Sequence, residues 1–244
     1  MEQGTQYPIL ADQGVDGVVV RFSDTLTEPA NRAALALRAA LESGVVPQVE
    51  EASSALASVY ARFGGDVAEG RAALEALLRE EDFLAAELPQ GRRLWTIPTA
   101  FGGGAGPAFE DVAAQAGLTP DEALRDLTGT RLRVMAIGFA PGQPYLGQLP
   151  EAWNIPRLPQ LTQAPAGAVI VAIRQLVLFT NASPTGWQHV GQTAFRNFRP
   201  EAERPFALAP GDEISFRPVH ETELAGIRAD DATGDGGAVA EVLP

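Results

Sequence analysis

Gly138-Phe139-Ala140-Pro141-Gly142-Gln143-Pro144-Tyr145-Leu146-Gly147 is the stretch on which the reading of this chain turns. Three Gly and two Pro alternate with Phe139 and Tyr145, directly after a strand-like run at residues 132–137. Proline fixes φ and glycine permits positive φ, so the backbone is held on one non-repetitive path. Two readings stand side by side: a loop that offers main-chain N–H groups to a ligand or partner, and a rigid turn that only closes a barrel. Further strand-like runs follow at residues 168–173, 176–179, 187–190 and 214–216, each bounded by Gly or Pro. Many short strands with turn signals between them predict a closed or partly closed β-barrel.

The chain before this region has a different texture. Residues 17–22 are a compact β-branched run, read as a buried strand. Pro29 opens a helical pattern that runs to Glu42, with Leu35, Leu37 and Leu41 on its apolar stripe and Gly44 as its stop. Strands are expected at residues 45–49 and 57–63, a second helix at 66–78 and a strand at 92–98. The order β-α-β-β-α-β is that of a ferredoxin-like split unit. After Pro98 the composition changes. Phe101-Gly102-Gly103-Gly104-Ala105-Gly106-Pro107 lacks the lysine of a phosphate cradle and reads as a linker or loop. Short helices are expected at residues 109–116 and 120–127, the second with Thr119 as N-cap and Pro120 at its first position. Asp230 to Gly237 is Asp- and Gly-rich and reads as a disordered terminus.

Composition narrows the chemistry. Of 244 residues, 31 are Asp or Glu and 18 are basic, a net charge of −13 that disfavours nucleic acid and anionic membranes. All the basic residues are arginine, which excludes Schiff-base and P-loop lysine chemistry, and no cysteine is present for disulfides, thiolates or metal. With only His189 and His220 as imidazoles, no His-rich metal site is expected. The absence of a signal sequence or a long apolar run leads to the expectation of a cytoplasmic chain.

Three further segments hold candidate chemistry. Arg157 in Ile155-Pro156-Arg157-Leu158 can pair a carboxylate or phosphate, or simply sit exposed on a turn. Ser183 and Thr185 put hydroxyls on a tight turn before Trp187, which lines a polar pocket or packs inward. His189 shares a strand face with Trp187, lacks an identifiable orienting partner, and reads as structural. Asp212 fits a turn before a strand, and no Gly-x-Ser-x-Gly elbow occurs.

Taken in order, Gly138-Phe139-x-Pro141-Gly142-x-Pro144-Tyr145-Leu146-Gly147, Pro156-Arg157-Leu158, Pro165-Ala166-Gly167, Ser183-Pro184-x-Gly186-Trp187, Gly191-x-Thr193 and Pro210-Gly211-Asp212-x-x-x-Phe216-x-Pro218 form a series. It resembles the carboxyltransferase-like family that contains the B component of 5-oxoprolinase, the first component of allophanate hydrolase and a sporulation-kinase inhibitor. The resemblance implies an α+β fold with a small ferredoxin-like α/β domain at residues 1–98. A cyclophilin-like β-barrel would follow at 99–222, and then an acidic Gly-rich tail at 223–244. It implies a hydrolase that opens 5-oxo-L-proline to glutamate using ATP with Mg2+, the nucleotide held by the assembled complex. The partners would be a homologous C component and a lactam-utilisation A component. Allophanate-type hydrolysis and kinase-inhibitor-like regulation are the alternatives within the family. The site would draw on Gly138, Pro141, Gly142, Tyr145, Arg157, Ser183, Thr185 and Trp187: N–H groups near Gly142 for an anionic oxygen, Arg157 for a carboxylate, Tyr145 packed over the ligand, and Ser183 or Thr185 as hydrogen-bond donor. The chain departs from the family at Leu127, where members carry His, at Gln143, in place of an aromatic, and at Thr185, in place of Gly. It is therefore a divergent member.

Overall fold

The computed structural model describes residues 6–243, and the chain divides into two compact units between Gln90 and Gly91. In the N-terminal unit, Ile9–Gln13 (β1) and Gly17–Arg21 (β2) form a hairpin, followed by Glu28–Glu42 (α1), Val49–Ala55 (β3), Ser58–Phe63 (β4) and Val67–Glu80 (α2). The sheet order is β1-β2-β4-β3, antiparallel throughout. Each helix starts where a side chain accepts otherwise orphaned N–H groups: the Thr27 hydroxyl takes that of Ala30, and the Asp66 carboxylate takes those of Ala68 and Glu69. Val18, Val20, Val59 and Phe63 from the sheet meet Leu37 and Leu74 from the helices in one core.

Two expectations about this unit are corrected. The strand expected at residues 92–98 belongs to the second unit, and β1 lies on the sheet edge beside β2 instead. The ferredoxin-like strand order is thus completed from the N-terminal side, through a local hairpin whose short loop costs little entropy to close. The strand expected at 45–49 lies at Val49–Ala55, because residues 43–48 form turns, with Gln48 at a positive φ of 66°. β3 is an edge strand with most of its residues exposed or partly so, and its Glu and Ser content hides it from a hydrophobicity reading.

The C-terminal unit contains Arg93–Phe101 (β5), Phe109–Gln115 (α3), Pro120–Gly129 (α4), Leu132–Ile137 (β6), Pro144–Gly147 (β7), Thr162–Ala164 (β8), Ala168–Ala172 (β9), Gln175–Leu178 (β10), Ser183–Thr185 (β11), Gln188–Thr193 (β12), Glu213–Pro218 (β13), Glu221–Asp230 (α5) and Val239–Val242 (β14). Strands β12-β9-β10-β7-β6-β13-β5 run side by side, and β5 returns to β12 through Thr99–Phe101, which closes a seven-stranded barrel. The β5–β13 pair is parallel. The first half of β5 carries β14 on the edge that its second half gives to β12. Ile97, Leu132, Leu146, Val171, Leu176 and Phe216 fill the main core, and Val112 of α3 and Leu127 of α4 pack into the same cluster. The expected α+β architecture of a small α/β unit and a closed barrel is what the chain forms.

The unit boundary falls eight residues before the expected one, since β5 is a barrel strand. The Gly-rich stretch at 101–107 is not a linker. Gly106 lies so close to β12 that a Cβ there would sit 2.0 Å from the Val190 carbonyl oxygen, and the Ala105 N–H donates to the Glu221 carboxylate at 3.0 Å. Nor is 223–244 a loose tail, because α5 and β14 pack onto β5. Leu224 of α5 is buried beside Ala100 and Ala105, and β14 is held by its backbone pairing with β5.

Candidate functional site

Alternation along β9 and β10 builds the candidate site. Val169, Val171, Leu176 and Leu178 point to the main core, while Ala168, Ile170, Ala172, Val177 and Phe179 form a second cluster on the other face. Trp187 completes that second cluster, and Tyr145 packs against it with its ring edge-on to Trp187, the centroids 6.4 Å apart. Over the indole lies the Arg157 guanidinium, 5.3 Å from the ring centroid. The Leu158 N–H donates to the Gly186 carbonyl at 2.6 Å and fixes the arginine segment to the tryptophan turn. Gly186 eases that approach, because a Cβ would stand a tight 3.0 Å from the Leu158 oxygen. The Thr185 hydroxyl accepts the Trp187 N–H at 3.0 Å and so shapes its own turn.

Arg157 is exposed and makes no ion pair among the described residues. A guanidinium laid on an aromatic face is partly ordered before a ligand arrives, and keeps its N–H fork for a carboxylate. Tyr145, Arg157, Thr185 and Trp187, far apart in sequence, are brought together. Ser183 is partly exposed and stands opposite Ala164 in the short β8–β11 ribbon.

The glycine–proline loop is held elsewhere. Its N–H groups at Gly138, Ala140 and Gln143 donate to the carbonyls of Gln143, Gly138 and Ala140. Gly142, at φ 71°, lies against Phe198, and its carbonyl accepts the Asn197 side-chain amide at 2.5 Å. These three N–H groups therefore serve the turn rather than an anion. Pro141 is exposed at the turn, and the second half of the motif is strand β7.

The three departures named from the family pattern are all buried. Leu127 is fully enclosed in the main core, Gln143 is 2% exposed with its side-chain Oε1 unpaired, and Thr185 is tucked into its turn. His189 is partly buried, with its Nε2 2.9 Å from the Gly191 carbonyl oxygen. Burial pushes its pKa below the ordinary value, and the Gly191 carbonyl and Gln192 only partly offset this.

Two clefts lie away from Arg157. One, of about 580 Å³, runs beside the end of β12 and is lined by Thr180, Thr193, Phe195, Arg196, Arg228 and Asp231 among others. The other, of about 350 Å³, lies between the Gly102–Gly103 turn and His220–Glu221. Sequence reasoning missed the first. Its signals were the quoted motif Pro165-Ala166-Gly167 and Thr193, and its far wall belongs in part to a segment read as a disordered terminus.

The sequence matches the family described as carboxyltransferase domain, subdomain C and D, over residues 9–208. A protein named as the B component of 5-oxoprolinase in Escherichia coli O157:H7 is 37% identical over 151 residues, 61% of this chain and 68% of that protein. Its namesake from Bacillus subtilis (strain 168) is 29% identical over 224 residues, 86% of this chain and 92% of that protein. The crystal structure of TTHA0988 superposes with a TM-score of 0.70 at 32% identity over 84% of this chain, which spans only 40% of that longer one. This chain belongs to the carboxyltransferase-domain family, subdomains C and D, with the bacterial proteins named as 5-oxoprolinase B components among its relatives.

Proposed function

We propose that this chain is the B component of an ATP-dependent 5-oxoprolinase-type hydrolase. With a homologous C component and a lactam-utilisation A component it opens 5-oxo-L-proline to L-glutamate. The observation that carries this reading is the near end-to-end match to a protein named as the B component of 5-oxoprolinase, over 92% of that protein's length. The chemistry of Arg157 is compatible: 5-oxoproline carries one carboxylate, and the cation over Trp187 is free to receive one.

In this reading ATP with Mg2+ is not held by a P-loop of this chain. It has no lysine, and the turn with the most glycine already receives the Glu221 carboxylate, which would repel phosphate. The nucleotide is therefore assigned to the assembled complex. The test is reconstitution: purify the three components together and measure ATP-dependent glutamate release from 5-oxoproline. Release that requires this chain is the expected outcome. Absence of turnover with all three present would remove the substrate assignment, and trying allophanate in the same assay would show whether the amide opened is a different one.

A further inference from the structure

The cleft beside the end of β12 holds chemistry that the hydrolase reading does not use. Its near wall is tight main chain: Thr193 N–H donates to the Gly167 carbonyl at 2.9 Å, and a Cβ at Gly167 would stand 2.4 Å from the Thr193 oxygen. Its far wall is the loop after α5. A Cβ at Gly236 would lie 2.2 Å from the Phe195 nitrogen, and one at Gly234 would lie 2.8 Å from Arg196 Nε, so this loop sits directly on the chain after β12. Asp231 folds the loop by accepting the N–H groups of Thr233, Gly234 and Gly236 at 3.1, 2.8 and 3.0 Å. Burial raises the Asp231 carboxyl, and these three donors outweigh it, so its pKa lies below the ordinary value and it stays ionised. The walls are thus fixed by glycine contacts and a satisfied carboxylate.

The groups left over inside this frame are specific. Phe179 and Phe195 give the cleft an apolar surface. Arg196 is paired with Glu201 at 2.6 Å, but Arg228 has no carboxylate partner among the described residues, only the Thr193 carbonyl at 3.3 Å from Nη2. The Thr180 hydroxyl on the same wall is shut off from solvent and has no hydrogen-bond partner. A half-open cleft of about 580 Å³, lined by two aromatic side chains and an unpaired guanidinium, has the size of a small-molecule site.

We propose that this cleft binds a small organic monocarboxylate, its carboxylate on Arg228 and its apolar body against Phe179 and Phe195. One unpaired guanidinium matches one negative charge. A dianion such as phosphate would face Asp231 without a second free cation to offset it. The site lies wholly within this chain and needs neither partner nor nucleotide, so it goes beyond the hydrolase reading, and failure of the three-component reconstitution would leave it standing.

The test is amide NMR titration of the purified full chain with benzoate, cyclopentanecarboxylate and 5-oxo-L-proline, each beside its neutral amide, and with inorganic phosphate. At least one carboxylate should saturate with a Kd of roughly 1 mM or tighter, shifting amides of residues 193–198 and 228–236. Its amide should bind about tenfold more weakly or worse, and Arg228→Gln should weaken the carboxylate by a similar factor without changing the amide. Ala166→Phe, at the exposed rim, should block the cleft while the rest of the spectrum is preserved. The proposal is overturned by the absence of any saturating carboxylate there, by equal affinity for acid and amide, by unchanged binding in Arg228→Gln, or by phosphate binding as tightly as the best carboxylate.

Discussion

Arg157 and Arg228 are both arginines without a carboxylate partner among the described residues, yet their surroundings differ. Arg157 stands exposed over Trp187, where the cation–π contact contributes about 0.5–1 kcal/mol at most. Removing it should therefore barely change stability, while any carboxylate it holds would lose a charge-assisted pair. Arg157→Ala is expected to lower glutamate release in the reconstituted complex by about tenfold or more. Its unfolding free energy should stay within about 1 kcal/mol of the parent chain. A large loss of stability, or full activity, would show that the stack on Trp187 is only a packing feature. Thr185 shows the opposite use of a polar side chain. Where the family resemblance leads to the expectation of glycine, its hydroxyl accepts the Trp187 N–H and closes the turn.

Among the elements, β5 has the most neighbours: β13 on one edge, β14 and β12 on the other. Asp212, in the turn before β13, ties that junction together. Its carboxylate accepts the Arg93 N–H at 2.8 Å, the Arg93 guanidinium at 2.6 Å, the Ala209 N–H at 3.0 Å and the Trp95 indole N–H at 3.3 Å. It is 2% exposed, so each donor would lose its partner in a region with little water to replace it. Asp212→Ala should cost about 3–5 kcal/mol in urea unfolding, the range for breaking a buried charge pair on one side. Asp212→Asn, which keeps an acceptor oxygen and loses the charge, should fall between. A cost below about 1 kcal/mol for the alanine variant would mean that β5 and β13 hold their register without this carboxylate.

At the scale of the whole chain, the residues after Asp230 complete the barrel unit. β14 pairs with Arg93–Thr96 of β5, Ala238 packs on the main core, and Gly236 rests on Ala194 and Phe195. A chain ending at Asp230 would leave half of the β5 edge unpaired, and its exposed N–H and C=O groups would invite other strands. Such a truncation should lower the melting temperature by several degrees and increase aggregation, read by calorimetry and light scattering. A melting temperature unchanged within about 1 °C would show that the terminal strand only decorates the barrel.

Local chemistry alone determined much of this protein. Thr119-Pro120-Asp121-Glu122 starts a helix wherever it lies, and it does so here, with Thr119 and Glu122 exchanging hydrogen bonds across the first turn. β-branched runs such as Val169-Ile170-Val171 are strands because no other element buries both faces of such a run so well. The ordered Gly/Pro motifs were enough for the family. What they left open was which strand pairs with which. β5 reads alike whether it ends one sheet or opens another, and only the parallel register with β13 assigns it to the barrel. The edge elements β1, β3 and β14 bury little of their side chains and are held by backbone hydrogen bonds, so no buried-face pattern announced them. The cleft at Arg228 was not legible as a cleft, since its walls come from segments around residues 167, 195 and 231, and their approach rests on glycines whose missing Cβ matters only once the chain is folded.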